Sequence, residues 1–243
     1  ADRPNIFYRV LPVLSRWHAL HEAIRSAARP ALVFCRTREG AEAGARLMRV
    51  RFPGQPVFFY HAGLDRDERR TLEGWFLSSS DGVLFATSAY GLGVDKPDIR
   101  TVVHADVPPS VEAYLQETGR AGRDGLPSTA LLVCAREDQA FAARLADPAA
   151  ARRYGRILGY ALAGEGCRRR ALLSLIGQEP VACSGCDDCD GSRAEQRDGG
   201  SPPPIGPLSG RRGHLRYLSP ALAQSPPQCP RLLRETNRPQ ELL

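Results

Sequence analysis

Short apolar segments alternate with amphipathic segments over much of the chain, and this alternation limits the possible folds more than any other feature. Five compact segments rich in branched and aromatic residues are predicted as strands, at 31–35, 56–60, 82–86, 101–104 and 129–134. Helical spacing lies between them at 39–50, 66–77 and 110–119, with Asp65 and Ser110 as N-caps. The pattern therefore predicts an open, doubly wound α/β domain, with a parallel sheet, helices on both faces and a ligand site at the carboxyl ends of the strands.

The pattern changes after the last predicted strand. The chain has 243 residues with 42% apolar content, enough for one domain-sized core, a small second unit and a tail. Residues 136–177 are predicted as helices, and a cysteine-dense loop follows them. From Gly191 the composition is rich in Pro, Gly, Ser and Arg without periodicity, which is typical of disorder. Three regions are predicted: a lobe at 1–135, a small helical unit at 136–190 and a disordered tail at 191–243.

The net charge is compatible with an anionic partner but does not identify one. A formal charge of +6 favours an anionic partner such as nucleic acid, but the basic residues are spread along the whole chain. No apolar run approaches the roughly 20 residues that span a bilayer, and the first residues lack the layout of a secretory signal. We therefore expect a soluble, cytoplasmic protein with no membrane partner, associated with the nucleoid if the source is bacterial.

A closely spaced set of cysteines marks the second region. Its members are Cys167, Cys183, Cys186 and Cys189. Local clustering favours a metal over disulfides, and four thiolates can complete a tetrahedral structural zinc site. Redox motifs and iron–sulfur clusters use similar spacings and stay open as alternatives. Cys229, in the proline-rich tail, does not belong to the set.

The segment QETGRAGRDG, which begins at Gln116, carries two candidate catalytic arginines. Gln116, Arg120 and Arg123 have helical spacing, but Gly119 and Gly122 favour a helix that runs into a turn at the edge of the lobe. Arginine binds phosphate in a bidentate manner and can stabilise the charge that develops on a transferred phosphoryl group. Taken alone, two arginines near a glycine favour a solvated helix end over a phosphate-binding role.

Residue identity adds a family resemblance. QETGRAGRDG resembles the sixth conserved motif of superfamily 2 helicases in its RecQ version at every position. ATSAYGLGVDKPDIR (86–100) resembles the fifth motif, YHAGLDRDER (60–69) the motif before it, and ALVFCRTR (31–38) the fourth. RPNIFYRV (3–10) resembles the segment by which RecQ proteins enter this lobe, and the cysteines resemble the RecQ zinc domain. The chain thus resembles the second RecA-like motor lobe and zinc-binding domain of a RecQ-family ATP-dependent DNA helicase.

The resemblance implies a half-site for nucleotide. Gln116, Arg120 and Arg123 are implied to be catalytic, because the two arginines reach across a cleft to phosphates held by a first lobe. Asp95 and Gly93, together with the arginines, are implied to bind ATP, with the Asp95 carboxylate on a ribose hydroxyl. ATP and Mg²⁺ are then shared with that first lobe.

The resemblance also implies a DNA-binding edge. Arg36 and Thr37 follow one predicted strand and His61 follows the next, so the three are expected at one edge of the sheet, and Thr87 ends a further strand. The family places the backbone of a single strand there, near the duplex junction, which suits a motor that grips phosphates without reading bases. His61 is also compatible with a purely local hydrogen bond.

A complete phosphate cradle is missing from the sequence. A P-loop needs Gly-Lys followed by Ser or Thr, and the sole lysine, Lys96, precedes Pro97. The chain alone is therefore expected to lack ATPase activity. Joined to a first lobe, it is expected to unwind DNA from 3′ to 5′ in recombination and repair. A fragment of a longer helicase, a separate partner of a motor, a non-catalytic zinc-dependent DNA-binding module and a superfamily 2 RNA helicase remain the alternatives.

Overall fold

The computed structural model describes residues 2–90, 95–179 and 181–190. The predicted disordered tail, with Cys229, lies outside these residues. Six parallel strands form one sheet in the order β1-β6-β5-β2-β4-β3. The strands are β1 (Ile6–Val13), β2 (Ala31–Phe34), β3 (Val57–Tyr60), β4 (Val83–Ala86), β5 (Thr101–His104) and β6 (Ser128–Ala135). The helices are α1 (Arg16–Ser26), α2 (Arg38–Arg51), α3 (Arg66–Ser78), α4 (Val111–Thr118), α5 (Arg136–Ala142), α6 (Pro148–Leu162) and α7 (Arg168–Leu175).

The elements predicted from residue 30 onward are present, and both predicted N-caps are formed. The Asp65 carboxylate accepts from the Glu68 amide at 2.8 Å, and the Ser110 hydroxyl accepts from the Ala113 amide at 3.2 Å. The sequence pattern predicts no element before residue 30, whereas the structure has β1 and α1 there. β1 is an edge strand that buries every second residue, so it lacks the continuous apolar run of the central strands.

Two apolar layers cover the two faces of the sheet, as expected for a doubly wound RecA-like fold. One layer packs α1 and α2 on the sheet through Leu20, Ile24, Ala41 and Met48. The other layer packs α3, α4, α6 and α7 through Leu72, Phe76, Tyr114, Ile157 and Leu172. In the described part of the chain, every helix falls short of the length and apolar composition needed to cross a bilayer.

The cysteine loop covers the outer edge of β1. The Tyr8 amide donates to the Gly185 carbonyl at 3.5 Å, and the Val10 amide donates to Asp187 Oδ2 at 2.8 Å. Cys186, which forms a bridge with Tyr8, is fully buried in the same core as the sheet. The second region therefore packs directly on the lobe, and the boundary predicted after residue 135 stays a prediction.

A buried carboxylate joins α5 to the end of β2. Asp138 is fully buried and accepts from Arg16 Nη2 at 2.8 Å and from Arg36 Nη2 at 2.7 Å. The amides of Val107 and Ala135 also donate to it, at 3.2 and 2.9 Å. Each carboxylate oxygen thus accepts at least two hydrogen bonds, as a buried charge requires.

Asp138→Ala is expected to lower the free energy of unfolding by about 3–5 kcal/mol, because it leaves two guanidinium groups beside an empty site. Urea denaturation of the full chain measures this loss. Asp67→Ala is a matched control, since Asp67 is exposed in the first turn of α3 and its removal costs less than about 1 kcal/mol. Equal losses in the two variants would contradict a structural role for the buried carboxylate.

Candidate functional site

The two candidate catalytic arginines lie in a compact turn after α4. The helix ends at Thr118, so the arginines leave the helix face on which regular spacing alone would put them, as the glycines predict. Gly122 has φ 55°, and a Cβ added there would lie 2.3 Å from the Ser128 hydroxyl oxygen. Only glycine fits this position without displacing its neighbours. Residues 119–124 are called the arginine turn below.

The arginine turn packs near the amino end of β5. The Gly122 amide donates to the Ile99 carbonyl at 2.9 Å, and the Asp124 amide donates to the Pro97 carbonyl at 3.2 Å. Both acceptors come shortly before β5 begins. The turn therefore lies at the amino end of β5, so the expectation of a single ligand site at the carboxyl ends of the strands does not hold for these arginines.

The side chains around the turn differ in exposure. Arg123 is exposed and pairs with the exposed Asp95 carboxylate at 2.5 Å. Arg120 is buried, and burial together with the nearby charge of Arg123 lowers the pKa of its guanidinium. Gln116 is exposed on α4, and Gly93 lies outside the described residues. The structure thus brings Arg120, Arg123 and Asp95 together and leaves Arg123 as the arginine able to reach a ligand.

Two residues just before β1 hold the arginine turn in place. The Arg3 guanidinium donates to the carbonyls of Gly119, Ala121 and Gly122 at 3.2, 3.1 and 2.7 Å. The Asn5 amide group donates to the Gly122 carbonyl at 2.8 Å. The sequence reasoning missed both roles, although RPN at the start of the chain was the available signal.

The four candidate DNA-binding residues lie along one edge of the sheet. Arg36 and Thr37 follow β2, Thr87 follows β4 and His61 follows β3. Because β2, β4 and β3 are neighbours and parallel, their carboxyl ends form one continuous edge. The structure therefore brings together the residues that the sequence selects.

Three of these side chains already have partners within the chain. Arg36 binds Asp138 and stacks on Phe141, with its guanidinium carbon 3.9 Å from the ring centre. Thr37 caps α2, and His61 Nε2 lies 3.0 Å from a Glu42 carboxylate oxygen. Their contacts with DNA stay predictions, and Arg36 in particular is turned toward α5.

An exposed arginine that the sequence reasoning did not single out lies at the same edge. Arg38 is exposed, and its guanidinium reaches over Gly63, where an added Cβ would lie 3.1 Å from Arg38 Nη1. The loop below it carries His61. Arg38 therefore presents an exposed positive charge at the edge where Arg36 was expected to supply one.

The four clustered cysteines converge on one point. Their Sγ atoms lie within 4.8 Å of one another, and Cys183 Sγ is 3.7 Å from Cys186 Sγ. Zinc–sulfur bonds of about 2.3 Å in a tetrahedron separate the sulfurs by about 3.8 Å. The thiol positions therefore fit a four-coordinate metal ion, with Cys167 at the N-cap of α7 and the other three in the loop.

The thiols differ in acidity. Burial acts to raise the pKa of Cys167, but the Arg170 amide and the thiols of Cys183 and Cys189 donate to it and leave its pKa lowered. Burial raises the pKa of Cys183 and of Cys189. Of these three thiols, Cys167 is the one whose pKa is lowered, and it lies at the start of a helix, where negative charge is favoured.

Comparison with known proteins agrees with this geometry. The family model described as the helicase conserved C-terminal domain matches residues 15–125. ATP-dependent DNA helicase RecQ of Pasteurella multocida is 34% identical over 197 residues, which cover 77% of this chain and 31% of that protein. ATP-dependent DNA helicase hus2/rqh1 of Schizosaccharomyces pombe is 33% identical over 202 residues, which cover 77% of this chain and 15% of that protein.

A solved structure shows the same fold. Dbp5 of S. cerevisiae, bound to RNA and ADP BeF3, matches with a TM-score of 0.52 at 18% identity, over 80% of this chain and 45% of that chain. Fold and motifs together define the C-terminal motor lobe of a superfamily 2 helicase. The chain belongs to the RecQ family within that class. It spans less than a third of the two RecQ-type relatives, at 31% and 15% of their lengths.

Proposed function

We propose that the chain is the second motor lobe and zinc platform of an ATP-dependent DNA helicase that moves from 3′ to 5′ and acts in recombination and repair. The arginine turn is the observation that supports this most directly. It presents the exposed Arg123 beside Asp95 and is fixed by backbone hydrogen bonds and by Arg3. A turn that is held in place and presents an exposed guanidinium can bind phosphate across a cleft.

The pair of Arg123 and Asp95 suggests how the lobe responds to nucleotide. Without nucleotide, each side chain neutralises the other at 2.5 Å. When ATP lies between two lobes, Arg123 exchanges the carboxylate for phosphate oxygens, and Asp95 becomes available to a ribose hydroxyl. Both side chains are exposed to solvent, Asp95 more than Arg123, so breaking this pair costs little free energy.

ATP binding in this proposal depends on a first lobe. The one lysine, Lys96, is buried, and its ammonium donates to the carbonyls of Leu77 and Ser79 at 3.1 and 2.8 Å. It also pairs with Asp98 at 2.9 Å. Lys96 therefore caps the carbonyls at the end of α3 and is not available to bind a phosphate. ATP and Mg²⁺ are held chiefly by the first lobe.

DNA is proposed to cross the carboxyl edge of β2, β4 and β3. Thr37, Thr87, His61 and Arg36 form the row there, and Arg38 adds an exposed positive charge. Contacts of this kind are made to phosphates and carry no base sequence, as a translocating motor requires. The strand held at this edge advances when the lobes close and reopen. We also propose that the protein acts in the cytoplasm, at the nucleoid in a bacterium.

The metal is proposed to be structural zinc. Four cysteine sulfurs occupy every position of a tetrahedral site, which leaves none open for a substrate. Zinc supplies fixed cross-links there, and Cys167, Cys183, Cys186 and Cys189 would hold it. The ion then ties the start of α7 to the loop that covers β1.

The purified chain is expected to show no DNA-stimulated ATP hydrolysis, whereas the chain joined to a RecQ-type first lobe is expected to hydrolyse ATP when single-stranded DNA is added. A coupled ATPase assay measures both. Robust turnover by the chain alone contradicts the two-lobe proposal. Zinc-dependent DNA binding without ATPase in the joined protein would favour a non-catalytic module, and faster unwinding of RNA than of DNA duplexes would favour an RNA helicase.

A further inference from the structure

Two arginines connect the cysteine cluster to the arginine turn. We propose that Arg169 and Arg3 are positioning residues, through which the metal-bound state of the cluster fixes the geometry of Arg123. The inference rests on the proposed function for its catalytic consequence, although the structural coupling itself can be measured without catalysis. Arg3 acts through the backbone of the turn, and Arg169 acts through Arg3.

The first connection runs from α7 to the start of the chain. Arg169 is 1% exposed and donates to the carbonyls of Ile6 at 2.6 Å and Arg3 at 3.1 Å. It also pairs with the Asp2 carboxylate, and its guanidinium carbon lies 5.2 Å from the centre of the Tyr8 ring. A fully buried guanidinium is strongly destabilising without such acceptors, because its charge would be left unpaired. Residues 2–6 are therefore held by α7.

The second connection runs through Arg3 itself. Its carbonyl is held by Arg169, while its guanidinium holds three carbonyls of the arginine turn. Charged donors make the stronger hydrogen bonds of proteins, and the planar fork of arginine fixes the relative positions of the groups it joins. A shift of the Arg3 backbone is thus transmitted to Gly119, Ala121 and Gly122, which flank Arg120 and precede Arg123.

The metal site determines where Arg169 stands. Cys167 is the N-cap of α7, and Arg169 lies in the first turn of that helix. The neighbouring Arg168 binds Asp187 Oδ1 at 3.1 Å and the Ala163 carbonyl at 2.8 Å, which ties the same turn to the cysteine loop. Four thiolates on one ion fix these segments together. Loss of the ion releases the first turn of α7, and Arg169 with it.

Packing between α7 and α4 does not replace this connection. A cavity of about 230 Å³ lies between them, with Leu115, Gln116 and Gly119 on one side and Leu172, Leu173 and Ile176 on the other. Arg3 and Arg169 form part of the same wall. Direct packing between α4 and α7 is reduced at this cavity, and the hydrogen bonds of Arg3 and Arg169 bridge it.

Hydrogen exchange in the full metal-bound chain tests the coupling without catalysis. Arg3→Met keeps much of the length of the side chain but removes its donors, and is expected to speed exchange of the Gly122 and Asp124 amides by about tenfold or more. The Cys35 and Ala105 amides, which bond within the sheet at 2.8 Å each, serve as internal references and stay protected. Arg3→Lys is expected to restore part of the protection. Arg51→Met, at the exposed end of α2, is the matched control.

Metal removal supplies the second arm. In the unsubstituted chain, chelation is expected to speed exchange in the arginine turn, while in Arg3→Met it adds nothing further to the turn. Independent, additive effects, or unchanged turn exchange in Arg3→Met, overturn the proposal. If chelation also exposes the reference amides, the metal-bound chains are compared instead. Faster exchange of the Gly122 and Asp124 amides in Arg3→Met than in Arg51→Met then supports the proposal, and equal exchange overturns it. Arg169→Lys, with zinc content measured beside exchange, tests the buried partner and is expected to loosen the turn while keeping the metal.

The catalytic consequence is measured in the chain joined to a first lobe. Arg3→Met is expected to lower kcat for ATP about ten- to hundredfold with KM nearly unchanged, because a misplaced catalytic group slows chemistry more than it weakens binding. Arg123→Ala in the same assay distinguishes failure of the proposed function from failure of the positioning role of Arg3. If Arg123→Ala keeps full activity, the proposed function fails, and the exchange data still decide the coupling. If Arg123→Ala is inactive and Arg3→Met is normal, the positioning role fails alone.

Discussion

Arg123→Ala, in the chain joined to a first motor lobe, is expected to reduce kcat for ATP hydrolysis by about a thousandfold or more. Arginines that stabilise the charge of a transferred phosphoryl group contribute effects of this size. Arg123 is the exposed arginine of the turn, and to reach a ligand it leaves Asp95 and a long 3.5 Å hydrogen bond to the Gly119 carbonyl. Steady-state assays at saturating single-stranded DNA give kcat and KM separately.

Two further variants sharpen this result. Arg123→Lys keeps the charge but loses the planar fork, so only a small part of the rate is expected to return. Arg51→Ala, at the exposed end of α2, is expected to keep normal activity. Nucleotide affinity that falls while kcat is kept in Arg123→Ala would assign this residue to ground-state binding and remove its catalytic role.

Cys186→Ser is expected to abolish stoichiometric metal binding and to unfold the chain locally around residues 163–190. Structural zinc supplies on the order of 10 kcal/mol of folding free energy in small domains that depend on it. Cys186 is fully buried, so the substitution also places a hydroxyl group in an apolar core. Metal analysis, expected to give about one zinc per unsubstituted chain, and circular dichroism measure the two effects.

The control for this prediction is another buried cysteine. Cys134→Ser changes a residue of β6 that lies outside the metal cluster, and is expected to keep the metal. A chain that keeps its fold and thermal transition after chelation would contradict the structural role of the metal. A metal content that is the same in both variants would contradict the assignment of Cys186.

The central fold could be predicted from local sequence, because β2 to β5 are short apolar runs buried on both faces. β1 could not, since only one of its faces is buried and its sequence IFYRVLPV mixes polar and apolar residues. α1 was missed for a similar reason, because only Leu20 and Ile24 are buried along it. Elements at the margin of a sheet carry a weaker pattern than its centre.

Some parts of the candidate site could also be predicted from local sequence, and others could not. The cysteine cluster follows from spacing, because its ligands are close in sequence. The contacts of Arg3 and Arg169 join residues more than a hundred positions apart, at separations of 116 and 163, and no local pattern contains them. Arg36 shows the limit of a local motif, because the motif suggested a free phosphate ligand, whereas Asp138, far along the chain, binds its guanidinium.

The cysteine loop that covers β1 also protects the protein from self-association. Among the described residues, the partners of the Tyr8 and Val10 amides are Gly185 and Asp187 in that loop. Without the loop, β1 becomes an open strand whose free donors can template pairing with a second chain. Metal loss is therefore expected to increase β-linked self-association of the chain at high protein concentration, which light scattering before and after chelation measures.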